Sequence, residues 1–409
     1  MRRGSNRAGV LRARDGGEQR VTPLELFFDL VYVFAITQLS HLLLGHPTLG
    51  GALQTLFLLL VVWWAWQYTT WFTNWFDPDV LPVRLTLVAV MLASLVMSVA
   101  IPGAFGESGL MFALTYVAIQ IGRTGFAVLA LGASHPLSGG FRRILSWFAA
   151  AGVLWVAGGL FEGEARYALW LLALAADYSG PVARYWTPGL GRSRTEEWTI
   201  EGGHFAERCQ LIVIIALGES ILVTGTTFGE IETSAANVVA FMVAFLGSAA
   251  LWWMYFARSA HDASDAIAHA ADPGRMARSA YTYFHILIIA GIIAVAAADE
   301  LVLAHPTELG TGASVSLLLG GTALFVVGHG FFVWAASGRM LWSRAVAVVA
   351  LAALASVGFA VPALALSSAT ALVVVLLAAW DSAAYRRRAS AARYHRVART
   401  SRSADRGRV

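Results

Sequence analysis

Lysine is missing from this sequence: all 29 basic residues are arginine, set against 25 acids, so the formal charge of +4 comes from arginine clusters. Cysteine occurs once, as Cys209 inside an apolar segment, which excludes an internal disulfide and a cysteine metal cluster. Charge of either sign is scarce. Only 13% of residues are charged and 58% are hydrophobic, whereas soluble domains carry about a quarter charged residues. That shortage excludes a soluble domain and leaves an all-α, polytopic membrane protein. Catalytic signatures are absent as well. There is no P-loop, no dinucleotide-binding glycine fingerprint and no HExxH, and "GES" at 218–220 lacks the flanks of a GxSxG nucleophile elbow. His204 has no cysteine or second histidine at metal-ligand spacing. The expectation is therefore a protein that is not an enzyme and holds no metal or cofactor. Nothing basic is interleaved with aromatics outside the terminal arms, so no nucleic-acid partner is expected either.

Long apolar runs are what the sequence has instead. A bilayer core needs about 20 apolar residues per helix. That ruler predicts about twelve spans, at 24–44, 51–70, 83–101, 109–131, 144–161, 166–178, 205–228, 234–257, 280–298, 313–336, 344–359 and 363–379. The first run is longer than a signal-peptide core and carries acids at its start, so it reads as a spanning helix. With the arginine-rich N-terminus cytoplasmic, Arg84, Arg142, Arg143, Arg184, Arg192, Arg194, Arg275, Arg278, Arg339 and Arg344 all fall on the cytoplasmic side. The opposite loops are acidic, holding Glu107, Glu162, Glu164, Glu230, Glu232, Asp299, Glu300 and Glu308, with Arg166 the one basic exception. This asymmetry is the positive-inside pattern for a chain with both termini cytoplasmic.

The two halves resemble each other. "LELFFDLVYVFAITQL" lies over "AERCQLIVIIALGESI", placing Glu25 on Glu207; Trp63 and Trp64 lie over Trp252 and Trp253, and Asp177 over Asp381. The expected organisation is a disordered basic arm at 1–20, a six-helix repeat at 21–182, a linker at 183–203, a parallel second six-helix repeat at 204–382 and a basic tail at 383–409. Parallel repeats with a site near the midplane are a recurring transporter design. The basic arms suit anionic lipid headgroups or plain topology determination.

Charges inside a bilayer are costly, so they face a bundle interior, pair, or line a water path. On the first helix Glu25, Asp29, Tyr32 and Ile36 share one face by helical spacing. The seventh carries His204, Glu207 and Arg208 at its mouth and Glu219 about three turns deeper, near the midplane. A carboxyl at that depth is a proton carrier, a cation ligand, or a protonated group in a structural hydrogen bond. Along the fourth helix run Tyr116, Gln120 and Arg123. By depth Arg123 is expected to pair with Asp29, Glu219 or both, as part of a polar centre or as a static link between helices. His285 and His329 are relay members or hydrogen-bonded packing residues. Glu25 and Glu207 also fit plain first-turn acids at helix starts. The tryptophans of "WWAWQYTTWFTNWFDPD" read as an interfacial belt, with cofactor stacking the alternative.

"TPLELFFDLVYVFAIT" together with "HFAERCQLIVIIALGESI" resembles the bacterial low temperature requirement protein A family, over nearly the whole chain. The family's motifs fall on Glu25, Phe27, Phe28 and Asp29, and on His204, Glu207, Arg208, Leu217, Gly218 and Glu219. The resemblance implies a multi-pass protein of the bacterial inner membrane connected with growth in the cold. "FFDLVYVFAIT" is also similar to the phenylalanine-serine-aspartate motif that opens each six-helix repeat of the potassium channels related to transmembrane protein 175. Here Phe28 stands at the serine, and Gln210 and Leu211 occupy the place of the aspartate in the second half. Three activities stand open at this point: an ion- or proton-linked carrier of a small ion or solute, a cation channel, and a membrane protein that binds lipid, quinone or a partner without transport.

Overall fold

The structure, a computed structural model, describes residues 7–14, 19–194, 200–268, 270 and 273–406. Among the described residues there is no β-strand, only isolated bridges such as Leu11 with Phe76. The helices in chain order are α1 Pro23–Gly45, α2 Leu49–Trp75, α3 Leu81–Ala100, α4 Gly109–Leu131, α5 Ser138–Leu160, α6 Gly163–Val182 and α7 Gly202–Glu230. They continue with α8 Ala235–Met254, α9 Ala260–Ala268, α10 Pro273–Met276, α11 Phe284–Ala304, α12 Gly312–Ser337, α13 Trp342–Ala355 and α14 Ala363–Arg406. π-helical turns, Tyr255–Ser259 and Ala277–Tyr283, lead from α8 into α9 and from α10 into α11.

Helix starts follow local chemistry. Thr22 accepts the Glu25 amide while the Glu25 carboxylate returns to the Thr22 N–H, a capping box followed at once by Pro23. Thr48, Glu201, Ser234 and Thr311 cap α2, α7, α8 and α12. Among the described residues, ten helices are long and apolar enough to cross a bilayer. The sixth and eleventh expected spans fall short of that measure. Helix α6 carries Glu164, Arg166 and Asp177, and α13 has 14 residues.

Helices α1, α7 and α11 meet at the centre, α1 also packing on α2 and α3, and α7 on α8. Around them α3, α4, α5 and α6 pack in sequence on one side, and α11, α12, α13 and α14 on the other. Arg166, the basic exception in an acidic loop, is buried: its Nη1 donates to the carbonyls of Ala104 at 3.2 Å and Gly106 at 2.5 Å, and its Nε to that of Phe161 at 2.9 Å. It serves exposed chain ends of neighbouring helices, so it does not count against the charge asymmetry.

Two expectations change, the disordered arm and the tryptophan belt, and two further features stand out in the tail and in the second tryptophan pair. The arm is not disordered throughout. Arg7–Val10 form a 3₁₀ turn, and Arg12 anchors the chain by donating from Nε to the Thr73 carbonyl at 2.7 Å, although residues 1–6 and 15–18 lie outside the described residues. The basic tail continues α14 as helix to Arg406. Trp63, Trp64, Trp66 and Trp75 are buried in the bundle and do not form an interfacial belt, because α2 packs against α1, α4, α7 and α11. The tryptophans aligned with the first two, Trp252 and Trp253, are exposed, so that matched pair does not share an environment.

Candidate functional site

Glu25 and Asp29, one turn apart on α1, face α7 and are both buried. The fork of Arg208 spans them, Nη1 donating to Glu25 Oε1 at 3.1 Å and Nη2 to Asp29 Oδ1 at 2.6 Å. Arg12 from the N-terminal arm supplies the second cation, its Nη2 donating to Glu25 Oε2 at 2.7 Å. Two carboxylates are thus balanced by two guanidinium groups, the condition under which buried charge is tolerated. The Phe28 and Trp66 rings flank Arg208 at 5.6 and 5.7 Å, and Trp66 Nε1 donates to Asp29 Oδ1 at 2.8 Å.

His204 completes this cluster. The Asn74 amide is oriented by donating to the Glu201 carbonyl and accepting the Glu201 N–H, both at 2.9 Å. Its nitrogen therefore faces His204 Nδ1 as a donor at 3.2 Å, which leaves His204 Nε2 to carry the proton toward Glu25 Oε1 at 2.9 Å. Glu207 stands aside, half-buried, and accepts the Val21 N–H at 3.1 Å. The cluster joins the arm, α1, α2 and α7, hence the first half of the chain to the second.

Glu219 lies elsewhere, eleven residues or about 16 Å further along α7. It is buried, and Thr37 Oγ1 of α1 donates to its Oε2 at 2.5 Å. Its Oε1 has no hydrogen-bond partner, and no ion pair reaches it among the described residues. Next to it Ser220 bonds Ser248 of α8 at 2.7 Å and donates to Asp299 Oδ2 of α11 at 3.5 Å. Asp299 belongs to this node rather than to a loop, because α11 continues to Ala304 and carries it inward.

Arg123 pairs with neither Asp29 nor Glu219. Its Nη1 donates to Thr69 Oγ1 at 2.8 Å and to the Ala65 carbonyl at 3.1 Å, and its Nη2 donates to Gln120 Oε1. Gln120 Nε2 donates to Tyr116 Oη at 3.0 Å, and Tyr116 donates to Asp177 Oδ2 at 2.7 Å, where Trp155 Nε1 also donates at 3.0 Å. Helical spacing placed Tyr116, Gln120 and Arg123 on one stripe, and the stripe faces α2 and α6. His285 bonds Tyr255 Oη at 2.7 Å and the Ala280 carbonyl at 3.1 Å. His329 Nδ1 accepts from Arg344, which pairs with Asp381 at 2.5 Å. Both histidines are buried against Phe332. Among the described residues no group of three or more His, Cys, Asp or Glu is placed to hold a metal.

The sequence put Glu25 and Asp29 on one face of the first helix and His204 and Arg208 at the mouth of the seventh, but it did not pair them, and it missed Arg12, Trp66 and Asn74 in that cluster and Thr37 at Glu219. The T-x-x-E capping signature at Thr22 was a usable signal for the geometry at Glu25. Nothing in the sequence pointed from residue 12 to it.

No solved structure matches the chain. It is 37% identical over 378 residues to the uncharacterized protein RA0937 of Rhizobium meliloti (strain 1021), an alignment covering 92% of each chain. The motif residues at Glu25–Asp29 and His204–Glu219 fall inside residues 20–379, which match the model of the bacterial low temperature requirement A protein (LtrA), and the chain belongs to that family.

Proposed function

We propose that the protein is a transport protein of the bacterial cytoplasmic membrane, with both termini cytoplasmic, that moves a proton or small ion through a polar centre between its two halves. Glu219 is the carrying group in this reading, with Thr37 bonded to it and His41 and Glu300 the titratable side chains near it. The observation that supports it is the state of Glu219, a buried carboxylate with one oxygen free and no cationic partner among the described residues. Such a group exchanges a proton or meets a cation at low cost, whereas Glu25 and Asp29 are already neutralised. The Glu25–Arg208–Asp29 cluster, with Arg12 and His204, acts as the fixed joint across which the halves move. The packing order α1, α3, α4, α5, α6 recurs as α7, α11, α12, α13, α14, which favours a duplicated six-helix unit and the parallel-repeat transporter plan. The family's description, low temperature requirement, suggests growth in the cold as the setting of this activity.

Proteoliposomes with imposed potassium and pH gradients test the proposal. Wild-type protein is expected to dissipate at least one gradient. Glu219→Gln is expected to remove most of that flux, since neutralising the carrier ends its charge exchange, while purifying at wild-type yield. Flux that needs a counter-ion marks a carrier, and unitary currents mark a channel. Equal flux in wild type and E219Q removes Glu219 from the pathway. No flux under any gradient favours a lipid-, quinone- or partner-binding role.

A further inference from the structure

A cavity with an interior volume of about 120 Å³ and a wide open mouth lies between the halves on the other side of α2 from the Arg208 cluster. Its walls come from the later turns of α2, from α4, the start of α5, the connection around 181–194 and the stretch 274–283. Trp64, Tyr68, Trp71, Trp75 and Phe141 line it, and among its polar groups are four arginines, Arg123, Arg184, Arg194 and Arg278. No aspartate or glutamate lines it among the described residues. The carboxylates of the first cluster, Glu25 and Asp29, are bound instead by Arg208 of α7.

Arg123 forms its innermost cationic wall. That side chain is 2% exposed, and all of its hydrogen bonds go to neutral oxygens of Ala65, Thr69 and Gln120. A buried guanidinium with no anion beside it is costly, in contrast to Arg208 with its two carboxylates. Two further wall groups are buried without partners: Trp64 Nε1, a donor, and Gln67 Oε1, an acceptor. Buried polar atoms are normally satisfied, so these two point to something that occupies the cavity.

The rim is built rather than loose. Arg184 and Tyr185 hold left-handed backbone, φ +54° and +49°, which non-glycine residues rarely adopt. Tyr185 N–H to Gly180 O at 2.9 Å and Ser193 N–H to Arg184 O at 2.8 Å fix that turn. Arg143 ties the far side to α5 by donating to Ser193 Oγ and the Leu190 carbonyl, each at 3.1 Å. Strained backbone that its surroundings enforce is characteristic of ligand clamps. Across the cavity Arg278 and Thr282 sit on the π-helical turn Ala277–Tyr283, a conformation frequent at functional sites.

We infer that this cavity binds an anionic amphiphile, its phosphate or carboxylate head held by the arginines and its apolar body laid against the tryptophan and tyrosine rings. Guanidinium forks match both kinds of oxyanion in two-point geometry, and aromatic walls with a few convergent polar groups are the usual make-up of a small-molecule site. The head can belong to a bilayer phospholipid or to a soluble organic acid. Neither source involves Glu219, so the site stands or falls independently of the proposed transport.

Equilibrium binding to purified protein in a non-ionic detergent decides it, with dioctanoylphosphatidylglycerol, dioctanoylphosphatidylcholine and 2-naphthoate as radiolabelled probes. At least one anionic probe is expected to saturate a single site and to bind at least about tenfold tighter than the phosphatidylcholine. The glycerol lipid alone saturating identifies a bilayer ligand, and 2-naphthoate alone a soluble acid. Arg123→Gln is expected to weaken binding at least about tenfold. Because that buried change can also unfold the chain, Arg194→Gln with Arg278→Gln on the cavity rim is the second variant, and the same loss is expected. Saturation by neither anion, equal binding of the phosphatidylcholine, or wild-type affinity in the rim variant overturns the inference.

Discussion

Arg208 holds Glu25 and Asp29 at once, and each carboxylate is buried where water cannot replace the guanidinium. Removing one member of such a set strands the others, at a cost of about 3 to 5 kcal/mol. Arg208→Gln is therefore expected to lower the melting temperature in detergent strongly, while Trp66→Phe, which deletes one neutral donor to Asp29, costs about 1 kcal/mol. Arg208→Lys should fall between them, because an ammonium keeps the charge but cannot fork across two acids. An R208Q protein that melts with the wild type would mean the cluster adds nothing to stability. The identity of these acids and of Arg208 could be read from helical spacing, which assigns a face. It does not assign a neighbour, so Arg123, on a correctly chosen face of α4, meets neutral oxygens of Ala65, Thr69 and Gln120 in place of the expected acids. Arg12 was invisible for a different reason: a basic arm without periodicity carries no positional signal.

Helix α11 approaches α12 closely because glycines stand at the crossing. A Cβ on Gly291 would lie 2.6 Å from the Phe325 nitrogen and 2.7 Å from the Gly321 carbonyl oxygen. One on Gly328 would lie 2.7 Å from Leu287 Cβ. Small residues of this kind let membrane helices associate by backbone proximity, where no hydrophobic force drives them together. Gly291→Ala meets backbone that cannot rotate away, so α11 and α12 must part, with an expected loss of about 1 to 3 kcal/mol. Gly320→Ala, on α12 with nothing within 4 Å, is the control and should be neutral or slightly stabilising. Comparing unfolding of the two in the same detergent checks this; equal losses would refute the packing account. At this scale the sequence was most legible, since bilayer thickness sets a length that apolar runs must meet. The places where it failed share a cause. Tryptophans resemble interfacial anchors by composition whether they face lipid or the bundle, and the ends of apolar runs hide polar residues such as Asp299 that the helix carries inward.

At the scale of the whole chain, α6 and α13 decide the architecture, because both lack the apolar length of the other ten helices. Their packing nevertheless matches full crossings. One end of α6 lies at the end of α5, where a Cβ on Gly158 would touch Trp170 and Arg166 binds the Phe161 carbonyl. The residues after its other end lie at the start of α5, with Trp147 donating to the Trp186 carbonyl at 3.1 Å and Arg143 to Ser193. Helix α6 thus runs antiparallel along the whole of α5. The chain after α13 behaves likewise: Gly358 returns to Gly310 and Val315 at the start of α12, while Arg344 at the first turn of α13 meets His329 near the end of α12. Polar groups on α6 are affordable there because Asp177 and Arg166 are turned inward and bonded. If both cross, the ten long apolar helices become twelve crossings, with the termini on one side. Ten crossings also leave the termini together, so tagging the ends cannot distinguish the two plans. The loops at 162 and 192 can. Cys209 is fully buried, so single cysteines at Glu162 and Arg192 can be labelled with a membrane-impermeant maleimide from either face of the membrane. Opposite faces are expected for the two positions, and Glu232→Cys should label with the first. Labelling of 162 and 192 from the same face would show that α6 returns without crossing, and the paired six-helix plan would fall with it.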